Sequence, residues 1–392
     1  MLSTASLAFT IARLPRILFG EGRLMELPAE ARAFGQRCLL VTGGDALRVG
    51  PAWAPLLDGF AARGVSLVTF AVSGEPSPEL VDQAVTRFKD DGIDVVAAVG
   101  GGSALDAGKA IAGLLRSGRS VMDHLEGVGH GVPYAGPAVP FIACPTTAGT
   151  GSEATRNAVL SRSGADGFKK SFRHDELMAR VAIVDPTLLA SCPRPVLIAN
   201  AMDALTQLLE AYTSTGASDF TDALAWSGLE AFHAGFAAAL YGESWGRSRL
   251  AYAALLSGIC LAHTGLGAVH GLAAPLGSWF TIPHGVACGT LLAETTAVNL
   301  QALSRRRPDS PALAKYARVA DLLTGGDGGD SGALVAILRD WTDRFGLARL
   351  GGYGVTEADI PRLVDASGGN SMKTNPLVLE PDEIADIVRR RL

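Results

Sequence analysis

The first half of the chain alternates short apolar runs with helical patterns. Five apolar runs rich in β-branched residues have the character of buried strands, and they lie at 38–42, 66–72, 94–99, 139–143 and 180–184. Helical periodicity appears between some of these runs, at 78–91 and 103–115. Because strands that alternate with helices form parallel sheets covered on both faces, the pattern predicts a mostly parallel α/β sheet. Ligands of such sheets bind outside the carboxyl ends of the strands.

The pattern changes near residue 193. Long periodic stretches rich in alanine and leucine follow, at 198–214, 219–240 and 245–263. Further helices extend to the C-terminus, and no run there has convincing strand character. We therefore predict an α/β domain over residues 1–190 and an all-α domain over residues 191–392. Two polar loops interrupt the helical half, at 304–311 and 324–332, and the second has the composition of a solvated connector.

Composition and charge limit the partners and the location. The 392 residues are 48% hydrophobic and 19% charged, which is typical of a well-packed globular enzyme. The net charge is −5 without a basic stripe, so nucleic acid and anionic membranes are poor partners. No apolar run has the length of a membrane span, and Arg13, Pro15 and Arg16 interrupt the N-terminal stretch where a signal peptide would be apolar. The five cysteines lack CxxC spacing, so they favour a reducing cytoplasm over disulfides or a cysteine zinc site.

A glycine-rich turn follows the third predicted strand. Gly100, Gly101, Gly102 and Ser103 end the strand and open a helix, so their backbone can approach a diphosphate closely. The helix N-terminus adds N–H donors and a favourable dipole for an anion. The spacing differs from the usual dinucleotide fingerprint, and a plain tight turn is the alternative interpretation.

A carboxylate, an amide and two imidazoles mark the helical half. Asp203 and Gln207 are four residues apart, so both side chains leave one face of a helix. His270 and His284 are too distant to meet on one straight helix, but glycine and proline beside them permit the chain to fold back. Asp203, His270 and His284 have the composition of the site that binds ferrous iron with open positions, and unrelated polar residues are the alternative. On one continuous helix His263 would lie about 10 Å from His270, too far to share an ion, so we predict a pocket or packing residue there.

Several stretches, in the same order, resemble a known family. AMDALTQLLEAY at 201–212, GLGAVHGLAAPLG at 265–277 and PHGVACG at 283–289 resemble the metal segments of the iron-containing (group III) alcohol dehydrogenases. GGGSALDAGK, CPTTAGTGSEAT and AIVDP extend the resemblance over nearly the whole chain. The resemblance implies a dehydroquinate-synthase-like architecture, with a dinucleotide-binding first domain, a metal and substrate second domain, and assembly as a homodimer or larger homo-oligomer.

The resemblance also implies where the coenzyme binds. The positions it assigns to the coenzyme are Gly43, Gly44, Asp45, Gly100, Gly101, Gly102, Ser103, Asp106, Thr146, Thr147, Thr150, Ser152, Asn157 and Lys169. NAD-preferring relatives often carry an Asp directly after the first strand, where this chain has Gly43. Without that carboxylate a 2′-phosphate is not repelled, so we predict that NADP(H) is accepted and preferred over NAD(H). An Asp45 side chain that turned back to the ribose would reverse this preference.

The metal segments depart from the family pattern at two positions. Gln207 stands where the family usually has a second metal-binding His, and an amide oxygen is a weaker ligand than imidazole. The resemblance implies a metal at Asp203, Gln207, His270 and His284, with Fe²⁺ foremost, Zn²⁺ as an alternative and a metal-free site as a third outcome. Ala274 replaces a His implicated in proton transfer, so the proton must travel through water, a ribose hydroxyl or another side chain.

The activity we predict is reversible, NAD(P)-dependent hydride transfer between a small alcohol and its aldehyde or ketone. The predicted catalytic residues are Asp203, His270 and His284, because a metal bound there would polarise the carbonyl oxygen beside the nicotinamide. Three alternatives stay open: a keto-acid reductase like maleylacetate reductase, a lyase of the dehydroquinate synthase type, and a degenerate nucleotide-binding protein in which Gln207 and Ala274 mark lost chemistry.

Overall fold

The computed structural model describes residues 8–164, 166–326 and 330–392. The described residues form eight strands: β1 (Arg16–Phe19), β2 (Arg37–Gly43), β3 (Ser66–Val72), β4 (Val95–Gly100), β5 (Phe141–Pro145), β6 (Asn157–Arg162), β7 (Phe168–Arg173) and β8 (Val181–Val184). The helices before residue 190 are α1 (Leu27–Arg32), α2 (Ala46–Val49), α3 (Trp53–Ala62), α4 (Pro78–Phe88) and α5 (Gly102–Leu114). Those after it are α6 (Arg194–Thr213), α7 (Asp219–Leu240), α8 (Ser244–Thr264), α9 (Ala268–Phe280), α10 (His284–Arg306), α11 (Pro311–Thr324), α12 (Ser331–Arg344), α13 (Ile360–Ala366), α14 (Asn370–Lys373) and α15 (Pro381–Arg390).

Six strands form one parallel sheet in the order β1-β8-β5-β4-β2-β3. Every residue of β4 and β5 is buried, because helices and loops cover both faces of the sheet. This confirms the predicted fold class. The five predicted strands correspond to β2, β3, β4, β5 and β8 within two residues at each end. The short edge strand β1 was not predicted.

A second, two-stranded sheet was also missed by the pattern. Strands β6 and β7 pair antiparallel, with Asn157 opposite Arg173 and Arg162 opposite Phe168. Charged side chains interrupt the apolar alternation of FKKSFR, so periodicity gave little signal there. The hairpin lies beside α5, and it carries two of the predicted coenzyme residues, Asn157 and Lys169.

The helical half follows the predicted pattern, with one error in a loop. The bounds of α7 match the predicted 219–240, and Ser218 supplies a capping box at its N-terminus. Helix α10 continues to Arg306, so the first three residues of the predicted 304–311 loop are helical. The predicted 324–332 connector begins as α11 ends and finishes inside α12, and its residues 327–329 lie outside the described residues, as do residues 1–7 of the N-terminal stretch.

Helix α6 lies at the centre of the helical half. Its apolar residues belong to the large core shared with α7, α8, α9 and α10. A helix buried on nearly all sides places any polar residue it carries in the interior, so such residues must find partners or a ligand. His263 on α8 packs against the N-terminal segment, because its Nε2 accepts a hydrogen bond from the backbone N–H of Ala12 at 3.0 Å.

In the described part of the chain, no single helix has the length and apolar character needed to cross a bilayer, although α8 and α9, bent by 102° at their junction, meet those two criteria as a pair.

Candidate metal and coenzyme site

The three predicted catalytic residues come together at one point. Asp203 projects from α6, His270 from the first turn of α9, and His284 is the first residue of α10. The chain reverses between the two imidazoles through Thr281, which adopts a left-handed φ of 55°, and Pro283. The Asp203 Oδ1 atom lies 3.3 Å from His270 Nε2 and 3.8 Å from His284 Nε2.

A fourth donor, Cys288, joins this cluster. Its Sγ atom lies 3.6 Å from His270 Nε2 and 3.8 Å from His284 Nε2. The donor atoms of Asp203, His270, His284 and Cys288 all lie within 4.8 Å of one another. Cys288 was not predicted as a ligand, because the five cysteines lack the spacing of a cysteine zinc site. The signal that was present is the four-residue spacing from His284, which puts both side chains on one face of α10.

Gln207 faces the cluster with its amide nitrogen. The Gln207 Nε2 atom donates to Asp203 Oδ1 at 3.4 Å, and its Oε1 atom accepts from the Ser257 hydroxyl at 2.7 Å. The oxygen that would bind a metal is therefore directed at Ser257. This geometry favours Gln207 as a hydrogen-bond partner of Asp203 over the ligand role predicted from the resemblance.

Glu210 fixes the orientation of the His270 ring. Its Oε2 atom lies 2.6 Å from His270 Nδ1, and its Oε1 atom accepts from the backbone N–H of Val269 at 2.7 Å. When Nδ1–H donates a hydrogen bond to this carboxylate, the neutral ring directs its Nε2 lone pair into the cluster, which is the usual support for a metal-binding His. Glu210 was also missed, although its spacing of seven residues from Asp203 places both on one face of α6.

The donor set fits a divalent cation. Asp203 is 1% exposed, and its Oδ2 atom is buried without a hydrogen-bond partner among the described residues. A buried carboxylate oxygen without a donor is costly unless a cation lies beside it. One carboxylate, two imidazoles and one thiol are ligand types that Fe²⁺ and Zn²⁺ both accept.

The charge states also suit a cation. Burial lowers the pKa of His284 to about 4, with Lys169 adding to the effect, so its ring is neutral at pH 7. Burial opposes the charge on Asp203, but the neighbouring imidazoles lower the pKa of its carboxyl group overall. Burial likewise opposes a charge on His270, yet Cys288 and Glu210 raise the pKa of this ring well above its ordinary value. Asp203 is therefore anionic and His284 keeps its lone pairs, whereas His270 would have to release a proton to bind a cation through Nε2.

One cavity of about 850 Å³ connects this cluster to the glycine-rich turn. Both halves of the chain line it, and its size suits a deeply bound small ligand or cofactor. Asp203, His270, His284 and Ala274 form part of its wall. The predicted coenzyme residues that line it are Gly101, Gly102, Ser103, Asp106, Thr147, Thr150, Ser152, Asn157 and Lys169.

The glycine turn packs directly on the threonine-rich loop. A Cβ atom on Gly102 would lie 2.9 Å from the Thr150 side chain, and one on Gly101 would lie 3.4 Å from Thr147. Glycine at these two positions therefore lets the two loops approach each other. The N-terminus of α5 begins at this turn, so its free N–H groups face the cavity end where an anion would bind.

The remaining predicted coenzyme residues lie off the cavity wall. Gly43, Gly44 and the exposed Asp45 follow one another at the carboxyl end of β2. A Cβ atom on Gly100 would lie 2.9 Å from the backbone N of Gly43, so Gly100 serves the close packing of β4 on β2. The Thr146 N–H donates to the Gly100 carbonyl at 2.9 Å.

A buried lysine ties the coenzyme loops together. Lys109 on α5 is 0% exposed, and its Nζ atom lies 2.8 to 3.3 Å from oxygens of Asp106, Ser152, Thr155 and Asn157. The sequence analysis did not single out this residue. Because its partners sit on α5, on the loop before β6 and on β6 itself, Lys109 fixes the relative positions of three segments that line the cavity.

Lys169 reaches the cavity from the hairpin. Its side chain pairs with Glu75, whose Oε2 atom lies 3.2 Å from Lys169 Nζ, and both residues line the cavity. The neighbouring Lys170 is exposed. Lys170 also lines the cavity, so the choice of Lys169 as the coenzyme lysine stays a prediction.

Burial raises the pKa of Glu153 to about 7 from its ordinary 4.5, although nearby Lys109 opposes the shift. The folded protein therefore holds this proton more tightly than the unfolded chain. Its contribution to stability is full below pH 4.5 and is lost as the pH rises through 7, on the order of 3 kcal/mol. We expect Glu153→Gln to weaken this decline, so that thermal unfolding at pH 8 occurs at a higher temperature than in the wild type. Parallel stability curves from pH 5 to 8 would contradict this assignment.

Comparison with known proteins gives consistent matches over the whole length. A family profile described as iron-containing alcohol dehydrogenase matches residues 15–186, and the C-terminal profile of the Fe-containing alcohol dehydrogenase family matches residues 197–392. The chain is 30% identical over 390 residues to the NAD-dependent methanol dehydrogenase of Bacillus methanolicus, covering 96% of this chain and 98% of that protein. It is 32% identical over 385 residues to the 1,3-propanediol dehydrogenase of Citrobacter freundii, covering 93% and 95%.

A solved structure with the same fold is sulfoacetaldehyde reductase from Bifidobacterium kashiwanohense in complex with NAD⁺. The TM-score is 0.85 at 27% sequence identity, with 98% of this chain and 99% of that chain covered. The matches confirm the resemblance inferred from the sequence motifs. They leave the division at residue 190 and the individual site residues as predictions.

Proposed function

Because this chain belongs to the iron-containing alcohol dehydrogenase family, we propose that it transfers hydride reversibly between a nicotinamide coenzyme and a small primary alcohol or its aldehyde. The observation that carries the proposal is the single cavity with the glycine turn at one part of its wall and Asp203, His270 and His284 at another. The turn supplies backbone donors for a diphosphate, and the cluster supplies donors for a cation. Relatives named as dehydrogenases or reductases of small alcohols and aldehydes support this over the lyase and non-catalytic alternatives.

We assign a separate role in the reaction to each of the residues around the cluster. A divalent metal held by Asp203, His270 and His284 would act as a Lewis acid toward the substrate oxygen. Asp203 provides the negative charge for that cation, and Glu210 holds the His270 ring in the productive tautomer. At Ala274 the wall presents only a methyl group, so we infer that water or a coenzyme hydroxyl carries the proton to the product oxygen.

For the coenzyme we propose that NADP(H) is accepted and preferred. Gly43 ends β2 without a carboxylate, and a Cβ atom there would meet its nearest neighbours at 3.4 Å, which is ordinary contact. We expect Gly43→Asp to shift the ratio of kcat/KM for NADH over NADPH upward by about tenfold or more, since the new carboxylate accepts from ribose hydroxyls and repels a 2′-phosphate.

The measurement is steady-state oxidation of each reduced coenzyme at a saturating aldehyde concentration. Gly44→Asp is an unsuitable control because Gly44 has a φ of 52°, so Asp45→Asn serves instead. A wild-type enzyme with a clear NADH preference would refute the proposed selectivity. A strong effect of Asp45→Asn on the ratio of kcat/KM values would show that Asp45, and not the residue at position 43, contacts the ribose.

We propose Fe²⁺ foremost as the metal on the strength of the family, with Zn²⁺ as the alternative. The cytoplasm is the proposed location, supported by five cysteines that are all free. A homodimer or larger homo-oligomer is proposed from the resemblance, and light scattering after gel filtration would measure it. The proposed partners are small alcohols and aldehydes, without nucleic acid or membrane.

The activity is tested by metal analysis followed by coenzyme oxidation against a panel of short aldehydes. We expect stoichiometric metal, oxidation of NADPH or NADH with at least one aldehyde, loss of activity on chelation, and recovery with added Fe²⁺ or Zn²⁺. Activity that survives complete chelation would exclude the Lewis-acid role. Coenzyme that is bound but never consumed in net amount would favour the lyase type of chemistry.

A further inference from the structure

The cluster contains a thiol at the position best placed to complete a metal site. We propose that the Cys288 thiolate is a metal ligand together with Asp203, His270 and His284, in place of the side chain at position 207. The inference rests on the proposed metal site and deepens it, because it adds a sulfur to the ligand set and names the class of metal that sulfur favours.

The distances agree with four ligands around one ion. Tetrahedral coordination, with metal–nitrogen and metal–oxygen bonds of about 2.0–2.2 Å and a metal–sulfur bond of about 2.3 Å, separates ligand atoms by roughly 3.3 to 3.6 Å. Asp203 Oδ1 lies 3.3 Å from His270 Nε2, and Cys288 Sγ lies 3.6 Å from the same atom. The two corresponding distances to His284 Nε2 are both 3.8 Å. Two of these four separations fall within the tetrahedral range and the two to His284 exceed it by about 0.2 Å, so a small shift of the His284 ring would bring the four donors around one ion.

Compared with the family pattern, α6 lacks one metal-binding side chain and α10 has one more. At position 207 the family pattern has an imidazole on α6, four residues after Asp203; here Gln207 occupies it with its oxygen bound to Ser257. On α10, Cys288 lies four residues after His284 and directs its sulfur at both imidazoles. One donor is therefore lost from α6 and one is gained from α10.

Cys288 lies on the side of the cluster that faces away from the cavity. Asp203, His270 and His284 line the cavity, whereas Cys288 is 0% exposed and lies among the described residues that form no part of the cavity wall. A substrate oxygen enters from the cavity side, where His284 has 23% of its side chain exposed. With four protein ligands, a substrate oxygen could bind only if the ion expanded to five-coordination, and the cavity lies on the side of Asp203, His270 and His284 where that position would open.

A sulfur ligand changes which metal the site prefers. Thiolate is soft, so it favours Zn²⁺ over oxygen-seeking ions, and its negative charge together with that of Asp203 balances a divalent cation. We therefore expect the protein to bind Zn²⁺ more tightly than Asp203, His270 and His284 would without a fourth ligand.

Cobalt substitution tests the sulfur directly. Co²⁺ bound by a thiolate shows a sulfur-to-metal charge-transfer absorption in the near ultraviolet, and Co²⁺ bound by nitrogen and oxygen alone does not. We expect the band in the Co²⁺-loaded wild type, its loss in Cys288→Ser, and a fall in Zn²⁺ affinity of at least about tenfold in that variant. Cys260→Ser is the matched control, since Cys260 is also buried but lies on α8 beside Thr221, and it should keep the band.

The outcomes separate this inference from the proposed function. Circular dichroism and thermal unfolding show whether Cys288→Ser is folded, and Cys288→Ala provides a second variant if serine in the core is not tolerated. Stoichiometric Co²⁺ binding by the wild type without the sulfur band would overturn the role of Cys288 and leave the three-ligand site standing. A wild-type protein that binds no metal would overturn the site itself.

Discussion

Replacing Asp203 by asparagine is expected to lower kcat/KM for aldehyde reduction by at least about a thousandfold. Asp203 is the carboxylate of the donor cluster and is almost fully buried, so the neutral amide removes the charge that a divalent cation needs while keeping the shape of the side chain. A thousandfold loss corresponds to about 4 kcal/mol of transition-state stabilisation, which is in the range that metal activation of a carbonyl supplies. Metal content should fall in parallel.

The control for this variant is Asp58→Asn, an identical change at an exposed position of α3. Steady-state kinetics and metal analysis on both proteins, at equal folded fraction, provide the comparison. If Asp203→Asn kept its metal and more than a tenth of the wild-type activity, the cluster would not be the place where the carbonyl is activated.

Replacing Lys109 by methionine is expected to destabilise the protein by about 3–5 kcal/mol, the usual cost of removing one partner from a buried charged network. The ammonium group lies among oxygens of Asp106, Ser152, Thr155 and Asn157, and methionine removes the donor that these oxygens share. Coenzyme affinity should fall as well, because Ser152 and Asn157 lose the group that fixes their backbone beside the cavity.

Urea unfolding measures the stability loss, and fluorescence titration with the coenzyme measures the binding. Lys89→Met, at an exposed site that follows α4, should change the free energy of unfolding by less than about 0.5 kcal/mol. A loss of under 1 kcal/mol in Lys109→Met would mean that water or rearranged side chains replace the ammonium group at little cost.

Much of the fold was predictable because buried segments have recognisable apolar patterns in the sequence. The runs that became β2, β4 and β5 are continuously apolar since both of their faces are covered. Helix α7 was predicted at its true bounds from its apolar periodicity, and in the structure Ser218 caps its start and Gly242 follows its end with a φ of 85°. The β6–β7 hairpin was missed because consecutive lysines in FKKSFR interrupt the apolar alternation of β7.

The candidate site was predictable in part. Asp203, His270 and His284 were identified because their residue types and the family resemblance agree, and the structure brings them within contact distance. Cys288 and Glu210 were missed although each lies on the same helix face as a predicted ligand. Their roles depend on how α6, α9 and α10 pack against one another. The packing angles between helices cannot be derived from the sequence of any one helix.

The shared cavity has a thermodynamic consequence for the order of loading. Binding of the nucleotide and binding of the ion form a closed thermodynamic cycle, and because both would occupy one cavity, the two ligands would lie near enough to interact. The coupling is then equal in both directions. If the bound ion raises the affinity for nucleotide by some factor, bound nucleotide raises the affinity for the ion by the same factor. An apoenzyme assayed with saturating nucleotide would accordingly recover its ion at lower free concentrations than one assayed without it, wherever that coupling is favourable.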